Sequence, residues 1–220
     1  MKHVLALGIV SALIGACASG PPVPDWESNA KTAIDHAVAA YLAGDTRLAA
    51  SDFERARSEI GRTGRIDLLG RAELVQCAAR VASLVFEACT GFEKLRGDSA
   101  APERAYADYL AARIQPQDIA LLPPQHRAVA VANLSAEAAS TALSGIDDPL
   151  SRLVAIGVLF QAGRASPTTI ALAVDTASAQ GWRRPLLVWL NVQLALAEKA
   201  SDADETARLR RRIAVVQGDK

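Results

Sequence analysis

Residues 148–203 read DPLSRLVAIGVLFQAGRASPTTIALAVDTASAQGWRRPLLVWLNVQLALAEKASDA. Asp148-Pro149 supplies a capping carboxylate followed by proline at the first helical position, where a missing N–H costs nothing. The apolar run that follows reaches Gln161 and is closed by Gly163. Ser166-Pro167 repeats the device, and Gly181 closes that helix. Arg184-Pro185 restarts the chain into a helix carrying Leu186, Leu187, Trp189, Leu190, Leu194 and Leu196, and a last helix is predicted from Ala203 to Val216. The predicted starts, 149, 167, 185 and 203, are evenly spaced at 18 residues. Two helices with their turns therefore recur every 36 residues or so, a period typical of helical arrays. Alanine is abundant and aromatics make up only 5% of the chain, which favours closely packed helices over sheet.

Upstream the pattern is less even. A helix is predicted over residues 65–85, burying Ile66, Leu69, Leu74, Cys77, Ala78, Val81 and Leu84. Residues 86–100 read as irregular, and a helix with Ala105, Tyr106, Tyr109, Leu110 and Ile114 on one face runs from Pro102 to Pro116. Residues 117–125 form an apolar loop around Ile119, Leu121, Leu122, Pro123 and Pro124, read as a plug in the core between two halves or as an exposed docking loop. An Ala-rich helix is expected over 125–144. At the start of the body, Asp25 is placed to cap a helix from Trp26 to Ala43, whose stripe is Trp26, Ala30, Ala33, Ile34, Ala37, Val38, Tyr41 and Leu42. Gly44-Asp45 stops it, and a second helix follows over 47–61 with Leu48, Ala49, Phe53, Ala56 and Ile60.

This hairpin resembles a tetratricopeptide repeat. Gly44, Ala49, Phe53 and Ala56 stand at the family's spacing of turn glycine, small residue, aromatic and alanine; its usual first-helix Trp, Leu and Gly are absent. The resemblance covers about one repeat of 34 residues. It implies an all-α fold of antiparallel helical hairpins stacked as a solenoid, in one domain over residues 26–217.

The N-terminus carries a second resemblance. Met1-Lys2-His3 precedes an apolar run from Val4 to Ala16, the layout of a secretory signal. That run, broken soon after by Gly20 and prolines, is too short for the roughly 20 apolar residues of a membrane span. Leu13-Ile14-Gly15-Ala16-Cys17 resembles the lipobox of bacterial lipoproteins. The resemblance implies removal of residues 1–16, acylation of Cys17 with palmitate among the chains, and a tether over 17–25. Two acyl chains suffice to hold a protein on a membrane. Ala18 at the second mature position implies the outer membrane, facing the periplasm. The Pro-rich tether favours an extended spacer.

Without residues 1–16 the chain keeps 23 basic and 24 acidic side chains. That balance gives no broad basic field for nucleic acid. Cys77 and Cys89 are 12 apart; on one unbroken helix they would lie about 18 Å apart, beyond the reach of a disulfide, about 7 Å between Cα atoms. A bridge, permitted in an oxidising compartment, requires the helix to stop near Val85 or Phe86 and the chain to turn back before Thr90-Gly91. The alternative is two buried free thiols. The bridge is the expectation.

No catalytic or metal-binding set emerges: there is no His-Glu-x-x-His, no Cys-x-x-Cys, no phosphate loop and no Gly-x-Ser-x-Gly elbow, and no cofactor is implied. His36 reads as a helix-flank residue and His126 as solvated. Asp147-Asp148 reads as a cap rather than an acid/base pair. Glu59 lacks the following motifs of a helical peptidoglycan-cleaving enzyme. Arg208, Arg210, Arg211 and Arg212 read as a solvated face near a helix C-terminus, or as a contact for anionic membrane. Trp182 and Trp189, seven apart, read as core filler or as a platform. The functional expectation is therefore an anchored, non-enzymatic scaffold gripping an envelope protein, with Leu121, Leu122, Trp182 and Trp189 as candidate contacts. A carrier with an apolar cavity near Leu121 and Leu122 is the alternative, and a cell-wall hydrolase comes after it.

Overall fold

The computed structural model describes residues 23–131 and 133–218. The proposed signal, Cys17 and most of the tether lie outside the described residues. Among the described residues every regular element is helical: α1 Asp25–Ala43, α2 Thr46–Gly61, α3 Ile66–Ala82, α4 Thr90–Glu93, α5 Ala101–Leu110, α6 Pro124–Ala130, α7 Ala136–Ser144, α8 Pro149–Gln161, α9 Pro167–Ala179, α10 Arg183–Lys199 and α11 Ala203–Gln217, with 3₁₀ turns at Arg96–Asp98 and Pro116–Leu121.

The first hairpin follows from its glycine. Gly44 sits at φ 103°, a left-handed conformation that only glycine adopts freely, and the Asp45 N–H donates back to Ala40 O at 2.9 Å. Asp45 then caps α2 by accepting the Leu48 N–H at 2.9 Å. Ala33, Ala37, Ala49 and Ala56 are buried with Phe53, so two alanine-lined faces close around one ring. Asp25 does not cap; it is the first residue of α1, behind Pro24. Ala30, Ala37, Phe53, Ile60 and Ala72 make a small apolar cluster between α1, α2 and α3. Arg57 locks α2 to α3 by donating to both oxygens of the buried Glu73, at 2.6 and 2.9 Å.

Helix α3 is the centre of the molecule, packing on α1 and α2 on one side and on α5 and α8 on the other. It ends at Ala82, three residues before the sequence suggested. Leu84 takes a left-handed φ of 57°, and the Val85 N–H donates to Arg80 O at 2.9 Å. The chain turns back there and bridges Cys89 to Cys77, with the Cα atoms 5.9 Å apart. Helix α5 likewise stops at Leu110, well before Pro116, where Ala112 takes φ 54°.

The expected helix over 125–144 is two helices. Helix α6 ends at Ala130, Asn133 has φ 59°, and Ser135 caps α7 by accepting the Ala138 N–H. Arg164 donates to Val131 O at 2.7 Å, meeting an end carbonyl of α6.

The C-terminal series starts at 149, 167, 183 and 203. Asp148, Ser166 and Asp202 cap α8, α9 and α11. Helix α10 begins two residues earlier than predicted because Pro185 sits in its first turn, where no donor is needed. Successive helices from α8 to α11 pack on one another, and α10 also packs on α1. There Arg184 donates to Tyr41 O at 2.6 Å and to Thr46 Oγ1 at 2.7 Å, and lies 4.2 Å above the Tyr41 ring.

Candidate functional site

Helices α3 and α8 meet at Gly157. A Cβ there would lie 2.4 Å from Val81 O, so the two backbones touch. Away from that crossing a cavity of about 580 Å³ opens. Arg71, Leu74, Val75 and Ala78 line its α3 side, a spacing of three and four that puts them on one helix face. Leu150, Ser151 and Val154 of α8 face them, Glu103 and Tyr106 of α5 form an end wall, and the Leu121–Pro124 segment with Arg127 forms the lip.

The proline pair explains the lip. Pro123 and Pro124 hold the chain extended at Leu122 (φ −67°, ψ 155°) before α6 begins. Leu122 is fully buried while Leu121 stays 38% exposed. Adjacent leucines thus do different work: Leu122 is core, and Leu121 is the exposed apolar edge of the opening. Arg127 donates from Nε to Leu122 O at 2.8 Å, tying α6 to the lip.

Beneath the lip lies an aromatic cluster. His126 is 1% exposed, with its ring 5.6 Å from Tyr106 and 5.0 Å from Tyr109. This corrects the reading of His126 as solvated: in the seven-residue α6 it shares the inward face with Val129. Its Nδ1 lies 3.3 Å from Tyr109 Oη. Burial pushes the imidazole down to about 4, so it is neutral at pH 7. Burial also raises the hydroxyls of Tyr106 and Tyr109 above the ordinary tyrosine range.

The charges of the cavity are few. Arg71 donates from Nε to Glu103 Oε1 at 2.7 Å, and Glu103 Oε2 is buried without a partner among the described residues. Three guanidinium or carboxylate groups among apolar walls can fix the polar end of a ligand whose body is apolar, the usual construction of a small-molecule site.

The other candidates fall elsewhere. Trp189 is fully buried, donates from Nε1 to Ala82 O at 3.1 Å and meets Phe160 edge-on at 5.5 Å. It is core filler, and the reading of Trp189 as a partner contact is withdrawn on that ground. Trp182 is half-buried at the start of α10. His36 is exposed, and Asp148 is a cap. Arg208 pairs with Glu205 and Arg210 with Glu198, which neutralises half of the arginine run. No group of three or more His, Cys, Asp or Glu among the described residues could hold a metal ion, and no helix among them is long and apolar enough to cross a membrane.

Sequence reasoning passed over Arg71, Glu103 and Arg127, and put Leu74, Ala78 and Tyr106 only in the core. The available signal was the proline-bounded apolar loop, which named the lip without its walls. Comparison of the chain with protein-family models, with curated proteins and with solved structures gives no match in any of the three.

Proposed function

We propose that this chain is a lipid-anchored envelope protein that binds an apolar ligand in the cavity behind Leu121 and holds it without transforming it. The observation that carries this reading is the cavity itself: about 580 Å³, within the range of ligand sites, with leucine, valine and tyrosine walls and only Arg71, Glu103 and Arg127 as charged side chains in its lining. The nearest imidazole is buried and neutral, ill-suited to take up a proton at neutral pH. The Cys77–Cys89 bridge supports an oxidising compartment, in keeping with export and with an acylated Cys17 delivered to the outer membrane. Native mass spectrometry of the lipoprotein released from its envelope tests the function. An added apolar mass per chain is expected. Bare protein, before and after incubation with envelope lipid extract, would overturn it.

A second reading, a scaffold for an envelope protein, is favoured by the α1–α2 hairpin. Its Gly44, Ala49, Phe53 and Ala56 stand at the spacing of a tetratricopeptide repeat, and the last three are buried. The neighbour-on-neighbour packing of α8 to α11 is in keeping with stacking of that kind over the C-terminal helices alone, since α3 on α8 and α1 on α10 join the two halves. Cross-linking in intact envelopes, followed by capture, would return one recurrent partner if this reading holds.

A further inference from the structure

We infer that the cavity's ligand is an anionic amphiphile, an acyl-like chain with a carboxylate or phosphate head seated at Arg127 and Arg71; the inference rests on the cavity being a ligand site. Its walls offer a chain Leu74, Val75, Ala78, Leu150 and Val154 to pack against. The choice of head group follows from which charges are satisfied and which are reachable.

Arg71 and Glu103 form an ion pair and cancel one another. Arg127 has no acidic partner among the described residues, so the three charged side chains that line the cavity leave one positive charge unbalanced; Asp148, outside the lining, accepts the Ser151 N–H as the cap of α8. Each arginine is anchored through Nε, Arg71 on Glu103 Oε1 and Arg127 on Leu122 O. Their terminal nitrogens make no hydrogen bond to a described residue and remain available as forks for planar or tetrahedral anions. The opposing group is hidden: the Glu103 side chain is 12% exposed and its free Oε2 is shut from solvent, whereas Arg71 is 61% exposed. A head group arriving from water therefore meets guanidinium donors before it can meet a carboxylate. The hydroxyls of Tyr106 and Ser151 are neutral and favour neither sign.

The test uses the full lipidated chain in phosphatidylcholine proteoliposomes and four diazirine-bearing twelve-carbon probes: dodecanoate, dodecyl phosphate, dodecanol and dodecylammonium. Cross-linking to peptides containing Leu74–Ala78 or Leu150–Val154 is read against cross-linking to the rest of the chain. One or both anions should label these peptides about tenfold more than the alcohol or the ammonium, the size of a single charge-assisted contact. Arg127→Gln should erase that preference, with its circular dichroism unchanged. The stronger anion identifies the source, a free fatty acid for the carboxylate and a phospholipid-type head for the phosphate. Equal labelling by all four probes, a preference for dodecylammonium, or an unaltered Arg127→Gln would overturn the anionic assignment and leave the ligand site standing. Absence of cavity labelling by any probe would remove the ligand site as well.

Discussion

Gly157→Ala tests the contact on which the centre of the fold depends. The added Cβ would lie 2.4 Å from Val81 O and 3.0 Å from Val81 Cγ1. A carbon approaches a carbonyl oxygen no closer than about 3.3 Å, so α3 and α8 must separate by about 1 Å. The obstructing atom is backbone inside a helix and cannot rotate away. A gap of that size forfeits a quarter to a half of the dispersion energy along the crossing, and overpacking of this kind costs about 3 kcal/mol at the upper end of its usual range. Alanine recovers about 1 kcal/mol of helix propensity, leaving about 2 kcal/mol of net destabilisation. In a chain of this size that lowers the melting temperature by about 4–8 °C. Thermal unfolding followed at 222 nm measures it, with Gly61→Ala as the control: Gly61 also lies in a helix, but nothing is within 4 Å of its Cβ position. Were Gly157 merely a weak helix former, both substitutions would raise the melting temperature. That result would refute the close crossing.

Four further outcomes are expected. Replacing Cys77 and Cys89 by serine should lower unfolding free energy by about 2–4 kcal/mol, as for a loop of this length; dithiothreitol should reproduce the loss in the native chain and leave the double variant unchanged in urea titrations. His126, held near 4 in the fold against an ordinary 6.5, takes up its proton more readily once the chain unfolds. Its contribution is therefore complete above pH 6.5 and is lost as pH falls towards 4, by about 3 kcal/mol in all; His126→Phe should flatten that part of a stability–pH profile. Trp189→Phe leaves Ala82 O buried without its donor and should cost about 1–3 kcal/mol by chemical denaturation. Cys17→Ala should abolish palmitate incorporation and release the protein from the membrane fraction; continued labelling would remove the anchor from the reading.

Where the chain marks its boundaries with proline and glycine, the fold was legible. Asp148-Pro149, Ser166-Pro167 and Gly44-Asp45 each fix a helix end by local chemistry that no tertiary contact overrides. The misjudged ends lack such marks. Ala82, Leu110 and Ala130 terminate helices whose sequences would permit another turn, and Leu84, Ala112 and Asn133 take positive φ without being glycine. Their surroundings enforce those turns: the disulfide beyond Ala82, and the Arg164 bond to Val131 O beyond Ala130. Of the site, Leu121 and Leu122 were legible because apolar residues between prolines are unusual in a loop. Arg127 was not, since an exposed arginine acquires meaning only from the carbonyl that orients it. His126 was misjudged for the same reason, as its burial depends on α5.

Stability and the cavity have a common origin. Helices α3 and α8 touch at Gly157 and Val81, and the apolar residues lining the opening lie three to seven positions earlier on each, Leu74 and Ala78 facing Leu150 and Val154. Two helices packed face to face along their length would leave no such space, because ridges settle into grooves. A crossing without a side chain at one point draws them together there and sets the angle at which they part. Tyr106 and the Leu121–Pro124 lip then close the wedge without filling it. The alanine-rich composition that lets the helices pack closely, and the glycine at which the α3 and α8 backbones touch, are thus what leave a space lined by leucine and valine at the other end of the same contact.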